Sequence, residues 1–186
     1  MKSYPYYPSR NIIDLDGAWD FKFADDCDIE SIQIKDLQFD DIMSVPGAFD
    51  CSPAYYCKRG IALYRTKFST ETTSADAFLK LGGIGLQGRF WLDSKELGVV
   101  ALPYSGVSLQ LGALASGEHE LVAAIDNRFN KEQVALFSPF YDFYAFGGFY
   151  RSVELHQLHE NWHIDRVQVK TLDYETGKVK LNIKLN

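Results

Sequence analysis

Along most of the chain apolar and polar residues alternate, and a period of two predicts strands with one buried face. Trp19, Phe21 and Phe23 alternate with Asp20 and Lys22 just after the turn signal Asp16-Gly17. Residues 61–68 (IALYRTKF) repeat the pattern, and residues 77–81, 89–93 and 118–125 predict further strands. Over residues 149–158, Phe149, Arg151, Val153 and Leu155 are predicted to face one way, with Tyr150, Ser152 and Glu154 facing the other. Turns separate these segments, and no long helical period intervenes. The pattern predicts an all-β, antiparallel β-sandwich of jelly-roll type over residues 1–158, its strands starting near Asn11. Its core is predicted to hold Trp19, Phe21, Phe23, Tyr64, Phe68, Leu79, Leu81, Leu121, Ala123, Ile125, Val153 and Leu155.

Beyond Leu158 something new starts. Residues 162–172 and 178–185 read as two strands around a turn at 173–177, and two strands cannot close a core. Residues 159–186 are therefore expected to be the start of a second domain, cut short, with an apolar face (Val179, Leu181, Ile183, Leu185) that pairs with another copy or lies against the sandwich. Residues 1–10 read as an irregular arm. The acidic stretch 25–41 fails as a calcium loop, because an EF-hand counted from Asp26 would need Gly and Glu where Ser31 and Leu37 stand; it reads as a solvated loop. Residues 128–141 have no period, and a loop that long is functional or mobile.

Two motifs mislead. Residues 83–88 spell G-x-G-x-x-G, but a strand pattern follows where a dinucleotide site needs a helix, and Ser108 stands where its acid is expected. His156, His159 and His163 have metal-like spacing only on a helix; on strands joined by a linker they point differently. No metal and no cofactor is expected.

Composition narrows the class. The 186 residues are 46% hydrophobic and 24% charged, a globular balance, and the net charge of −6 argues against a nucleic-acid partner. No apolar run reaches the length of a membrane span, and the N-terminus lacks the apolar core of a signal peptide, which predicts a cytoplasmic protein unless a leader was removed. Cys27, Cys51 and Cys57 are an odd set with no disulfide framework; a Cys51–Cys57 bridge stays open, and reduced thiols suit the cytoplasm. Aromatics at 15% exceed what a core needs and leave rings for a binding face.

The candidate chemistry lies in residues 141–155, YDFYAFGGFYRSVEL. Tyr141, Phe143, Tyr144 and Phe146 surround Asp142 ahead of Gly147-Gly148. Rings stack on the apolar faces of sugars and a carboxylate accepts bonds from their hydroxyls. The plainer reading is a hydrophobic turn with one solvated acid. This stretch resembles the end of the N-terminal sugar-binding domain of family 2 glycoside hydrolases, the β-glucuronidases and related β-galactosidases, on Asp142-Phe143-Tyr144, Gly147-Gly148 and Arg151-Ser152-Val153. The resemblance extends to residues 15–21 (LDGAWDF), Val45-Pro46-Gly47, the Tyr64-Arg65 and Phe68 strand, the hairpin at residues 91–97 and the strand end Ile125-Asp126-Asn127. Residues 98–106 depart from the family's His and paired glycines, which leaves substrate contact by the loop around Leu102 and Tyr104 unassigned.

The resemblance implies a non-catalytic domain of a retaining β-glycosidase of β-glucuronides or β-galactosides. Asp142 and Tyr144 would be its substrate-binding residues. Its partners would be the rest of the same chain, an immunoglobulin-like domain begun at residue 159 and a TIM barrel holding the carboxylate pair. No catalytic residue is expected within the 186, since a barrel alone needs about 250 residues. Glucuronide, galactoside and mannoside enzymes share this architecture, and a homo-oligomer is left open. A free-standing carbohydrate-binding module and a structural sandwich without ligand are the alternatives.

Overall fold

The computed structural model describes residues 10–25, 27–129, 144–160 and 162–185. They form fourteen strands: β1 (Arg10–Asp14), β2 (Gly17–Ala24), β3 (Asp41–Val45), β4 (Ile61–Thr70), β5 (Asp76–Leu81), β6 (Ile84–Gly85), β7 (Gln87–Leu92), β8 (Lys95–Val100), β9 (Val107–Gln110), β10 (Gly117–Asp126), β11 (Gly148–Phe149), β12 (Val153–Leu158), β13 (Ile164–Asp173) and β14 (Lys178–Leu185). The only helical pieces among the described residues are three single 3₁₀ turns. A six-stranded sheet, β3-β2-β4-β10-β7-β8, faces a four-stranded sheet, β1-β12-β5-β9, and the pairings are antiparallel. The all-β sandwich expected from the alternation is what forms.

The core between the sheets comes from the inward half of each alternation. Trp19, Phe21, Tyr64, Phe90 and Phe149 are fully buried there with Leu79, Leu81, Val153 and Leu155. Tyr64 packs edge-on against Phe21 and Phe149 with centroids 5.1 Å apart in both cases, an arrangement that suits the ring quadrupoles. Trp19 keeps its indole N–H satisfied by donating to the Leu15 carbonyl at 2.8 Å. Of the predicted core, Phe23 and Phe68 are half-buried and the rest buried. The β7–β8 hairpin turns on Asp93 and Ser94, both left-handed (φ 49° and 67°), as a two-residue turn that follows strand twist requires.

Two local readings are corrected. The predicted continuous strand from Phe149 breaks at residues 150–152: Phe149 belongs to β11, Val153 opens β12, and Arg151 is exposed rather than inward. The acidic stretch 25–41 is more than a solvated loop. Ile29 is buried, and Cys27, Ile32, Ile34, Leu37 and Phe39 pack with it on Ile61, Leu63, Trp91, Val122 and Ala124. This second, smaller core covers the far face of the six-stranded sheet, so β4 and β10 are apolar on both sides.

Strands β13 and β14 form the expected hairpin as a sheet of their own. Its alternating residues are exposed on both faces, Val179, Leu181, Ile183 and Leu185 among them, so the sandwich covers neither apolar face.

Candidate functional site

The described residues nearest the aromatic run close one end of the sandwich, where β10 stops and β4 starts. Three segments meet there: the 3₁₀ turn Phe49–Cys51 after β3, residues 58–60 before β4, and residues 144–148 leading into β11. Asp50 is at the centre, its side chain fully buried. Both of its carboxylate oxygens accept from the Gly147 N–H at 3.1 Å, and Oδ2 also accepts from Asn127 Nδ2 at 3.0 Å. Asn127, fully buried, spends its remaining groups on the same segments: Nδ2 donates to the Lys58 carbonyl at 3.0 Å and Oδ1 accepts from the Gly60 N–H at 2.9 Å. Arg59 completes the cluster. Its Nη1 donates to the carbonyls of Asn127, at 3.2 Å, and Ala145, and lies 3.7 Å from Asp50 Oδ2. A buried charge needs such pairing to offset its lost hydration.

Both flanks of residues 130–143 are thus tied to one Asp50–Arg59 pair. Gly147 is required for this closeness: a Cβ there would come within 2.5 Å of the Phe49 ring and 2.6 Å of Asn127 Cβ. Gly148, at φ 104°, would set its Cβ 2.7 Å from the Tyr64 hydroxyl.

The outer surface of the cluster is aromatic. The Arg59 guanidinium lies 4.3 Å from the centroid of the half-buried Tyr144 ring and 5.9 Å from that of Phe129, within cation–π range. Tyr144 and Phe146 are 4.8 Å apart. Tyr104 donates to the Phe146 carbonyl at 3.2 Å and packs 5.1 Å from Tyr150, so the loop around Leu102 reaches this end of the sandwich. The Tyr144 hydroxyl is buried without a well-formed hydrogen bond, and burial together with the nearby Asp50 charge pushes its pKa up to about 12. Burial likewise pushes Tyr104 up to about 12. Both stay neutral, and it is their rings that this surface offers, since the Tyr144 hydroxyl is buried and that of Tyr104 is spent on the Phe146 carbonyl.

Of the sequence candidates, Tyr144 is placed on this surface, and Asp142 lies outside the described residues. Sequence reasoning missed Asp50 and Arg59; the signals present were the strand end at Asn127 and the Gly147-Gly148 pair. His156 and His163 come together more than their strand spacing suggested, both stacked on Phe78 at 4.8 and 6.0 Å, while His159 is exposed. Among the described residues no three or more of His, Cys, Asp and Glu are grouped to hold a metal ion. The three cysteines are free.

No protein-family model matches the chain, and no curated protein does. Solved structures do. A β-glucuronidase from Ruminococcus gnavus superposes with a TM-score of 0.83 at 22% identity, over 98% of this chain and 35% of that one. The chain has the fold of one part of these β-glycosidases. A GH2 β-galacturonidase from Eisenbergiella tayi gives 0.79 at 21% identity over 99% of this chain and 31% of that one. A β-glucuronidase from an uncultured Clostridium gives 0.79 at 20% over 100% and 35%. The chain spans about a third of the length of each of these structures.

Proposed function

We propose that this chain is the non-catalytic N-terminal sugar-binding domain of a retaining family 2 β-glycosidase acting on β-glucuronides or β-galactosides. The observation that carries the reading is the fold match that takes in nearly all of this chain and a third of each matched enzyme. The motifs that resemble family 2 support it, as does the end of the sandwich where Asp50 and Arg59 fix both flanks of residues 130–143. Asp142 and Tyr144 are the sugar contacts in this reading. The jelly-roll sandwich ends at residue 158, and the hairpin of β13 and β14 opens an immunoglobulin-like domain. Catalysis belongs to a carboxylate pair on a TIM barrel elsewhere in the enzyme.

The test compares this chain with the full product of its gene, on aryl β-glucuronides and aryl β-galactosides. A product that continues past Asn186 is expected to turn over one of them, and the 186 residues alone to give nothing above a buffer blank. Turnover by the 186 residues, in material free of host enzyme, overturns the reading. A gene that ends at Asn186, with glycan binding retained, selects the free-standing carbohydrate-binding module instead.

A further inference from the structure

Arg59 has donors to spare, and their direction is fixed. A guanidinium carries five N–H groups. The two on Nη1 go to the carbonyls of Asn127 and Ala145. Nε and Nη2 have no hydrogen-bond partner among the described residues. Asp50 does not take them, since its oxygens already accept from Gly147 and Asn127 and its contact with Arg59 is at Nη1. The Tyr144 ring centroid lies 4.3 Å from the guanidinium carbon, and the side chain is 31% exposed. What remains is an Nε–Nη2 edge with two parallel N–H groups, anchored from behind, beside an aromatic surface on a chain of net charge −6.

Such a fork matches the two oxygens of a carboxylate, and a lysine's point charge does not reproduce it. We propose that Arg59 is a specificity-determining residue that binds a carboxylate of the glycoside, with Tyr144 beside the ring that carries it. The inference rests on the sugar-binding reading of this end of the sandwich. The carboxylate could belong to the sugar, as a uronate, or to an acidic aglycone; the chemistry at Arg59 is the same.

The experiment follows the Arg59 Nε–H resonance of the purified chain during titration with methyl β-glucuronide, methyl β-glucoside, 4-carboxyphenyl β-glucoside and sodium acetate. Wild type, Arg59→Lys and Arg59→Gln are compared, with thermal melts to confirm folding. The expected result is a saturable shift with one of the two acid-bearing glycosides, at least tenfold tighter than with methyl β-glucoside or acetate. Arg59→Gln should reduce that ligand to the level of the neutral one, and Arg59→Lys should fall between. The glycoside that responds identifies the source of the carboxylate. Equal binding of acidic and neutral glycosides, unchanged in Arg59→Gln, overturns the role of Arg59 and leaves the sugar-binding reading standing. An acetate response equal to that of the glycosides overturns it too, as simple ion pairing. No response to any sugar, from the chain or from the full product of its gene, overturns both. The wild-type resonance decides the question even where a variant fails to fold.

Discussion

Asp50→Ala is the most informative single change in this fold. It removes the acceptor of the Gly147 N–H and of one Asn127 amide hydrogen, and leaves Arg59 without its nearby countercharge. Each orphaned buried donor costs about 1–3 kcal/mol. Removing one partner of a buried ion pair costs roughly 3–5 kcal/mol, but here the pair is at 3.7 Å and Arg59 is partly exposed, so most of that term is lost to solvent. The two donors dominate, and the sum is about 3–4 kcal/mol. In a domain of this size 1 kcal/mol moves Tm by about 2–4 °C, so a fall on the order of 10 °C is expected. Asp50→Asn keeps an acceptor for Gly147 but turns an amide towards Asn127 Nδ2, and should cost about half as much. Urea and thermal unfolding, followed by near-ultraviolet circular dichroism, measure both. Asp50→Ala within about 1 kcal/mol of wild type, or Asn more damaging than Ala, would show that the cluster does not hold this end together.

Other expectations test separate parts of the molecule. On the proposed reading, Asp142→Ala in the intact glycosidase should lower kcat/KM about 10- to 100-fold with Tm unchanged, the value expected of a charged hydrogen bond to the reacting sugar; a fall in Tm with activity per folded molecule within about threefold would make it a turn cap instead. His119 is nearly buried, and burial alone would lower its pKa. The Asp93 carboxylate 2.7 Å from Nδ1 and the Ala115 carbonyl 3.0 Å from Nε2 outweigh this and hold it above the ordinary histidine value. Its contribution should be complete below about pH 6.5 and disappear as pH rises through the raised folded value, and His119→Asn should abolish that slope in pH-dependent melts. Truncation after Leu158 should leave the sandwich Tm within about 2 °C, because the hairpin residues are exposed, and should reduce concentration-dependent light scattering.

The sheets were legible because their information is local. Trp19 and Phe21 against Asp20 and Lys22 state which face is buried without reference to any other strand. The stretch 25–41 was not legible as a cover, because Cys27, Ile29, Ile32, Ile34, Leu37 and Phe39 follow neither a strand's period of two nor a helix's of 3.6, and dock on residues far along the chain. A signal existed on the receiving side: Ile61-Ala62-Leu63-Tyr64 is apolar at consecutive positions, all buried, as befits a strand covered on both faces. Asp50 and Arg59 escaped for a related reason. Their bonds reach Asn127, Ala145 and Gly147, up to 97 residues away, and no spacing rule links an acid in one turn to a glycine in another.

The cover over the far face also gives the protein a mode of partial opening. Besides its apolar contacts, it is held by Arg89, which pairs with Glu96 at 2.7 Å and donates to the Glu30 carbonyl at 2.9 Å, and by Arg128, which donates to the Cys27 carbonyl at 2.8 Å. None of the sheet's ladder bonds passes through it, so it can detach while β4, β7 and β10 stay paired. Trp91, 5% exposed, would then meet water. Its fluorescence should shift to the red at urea concentrations below the main transition, and amides of residues 27–39 should exchange well before those of β10. The molecule therefore carries a built-in optical reporter of a sub-global motion that leaves the sandwich intact.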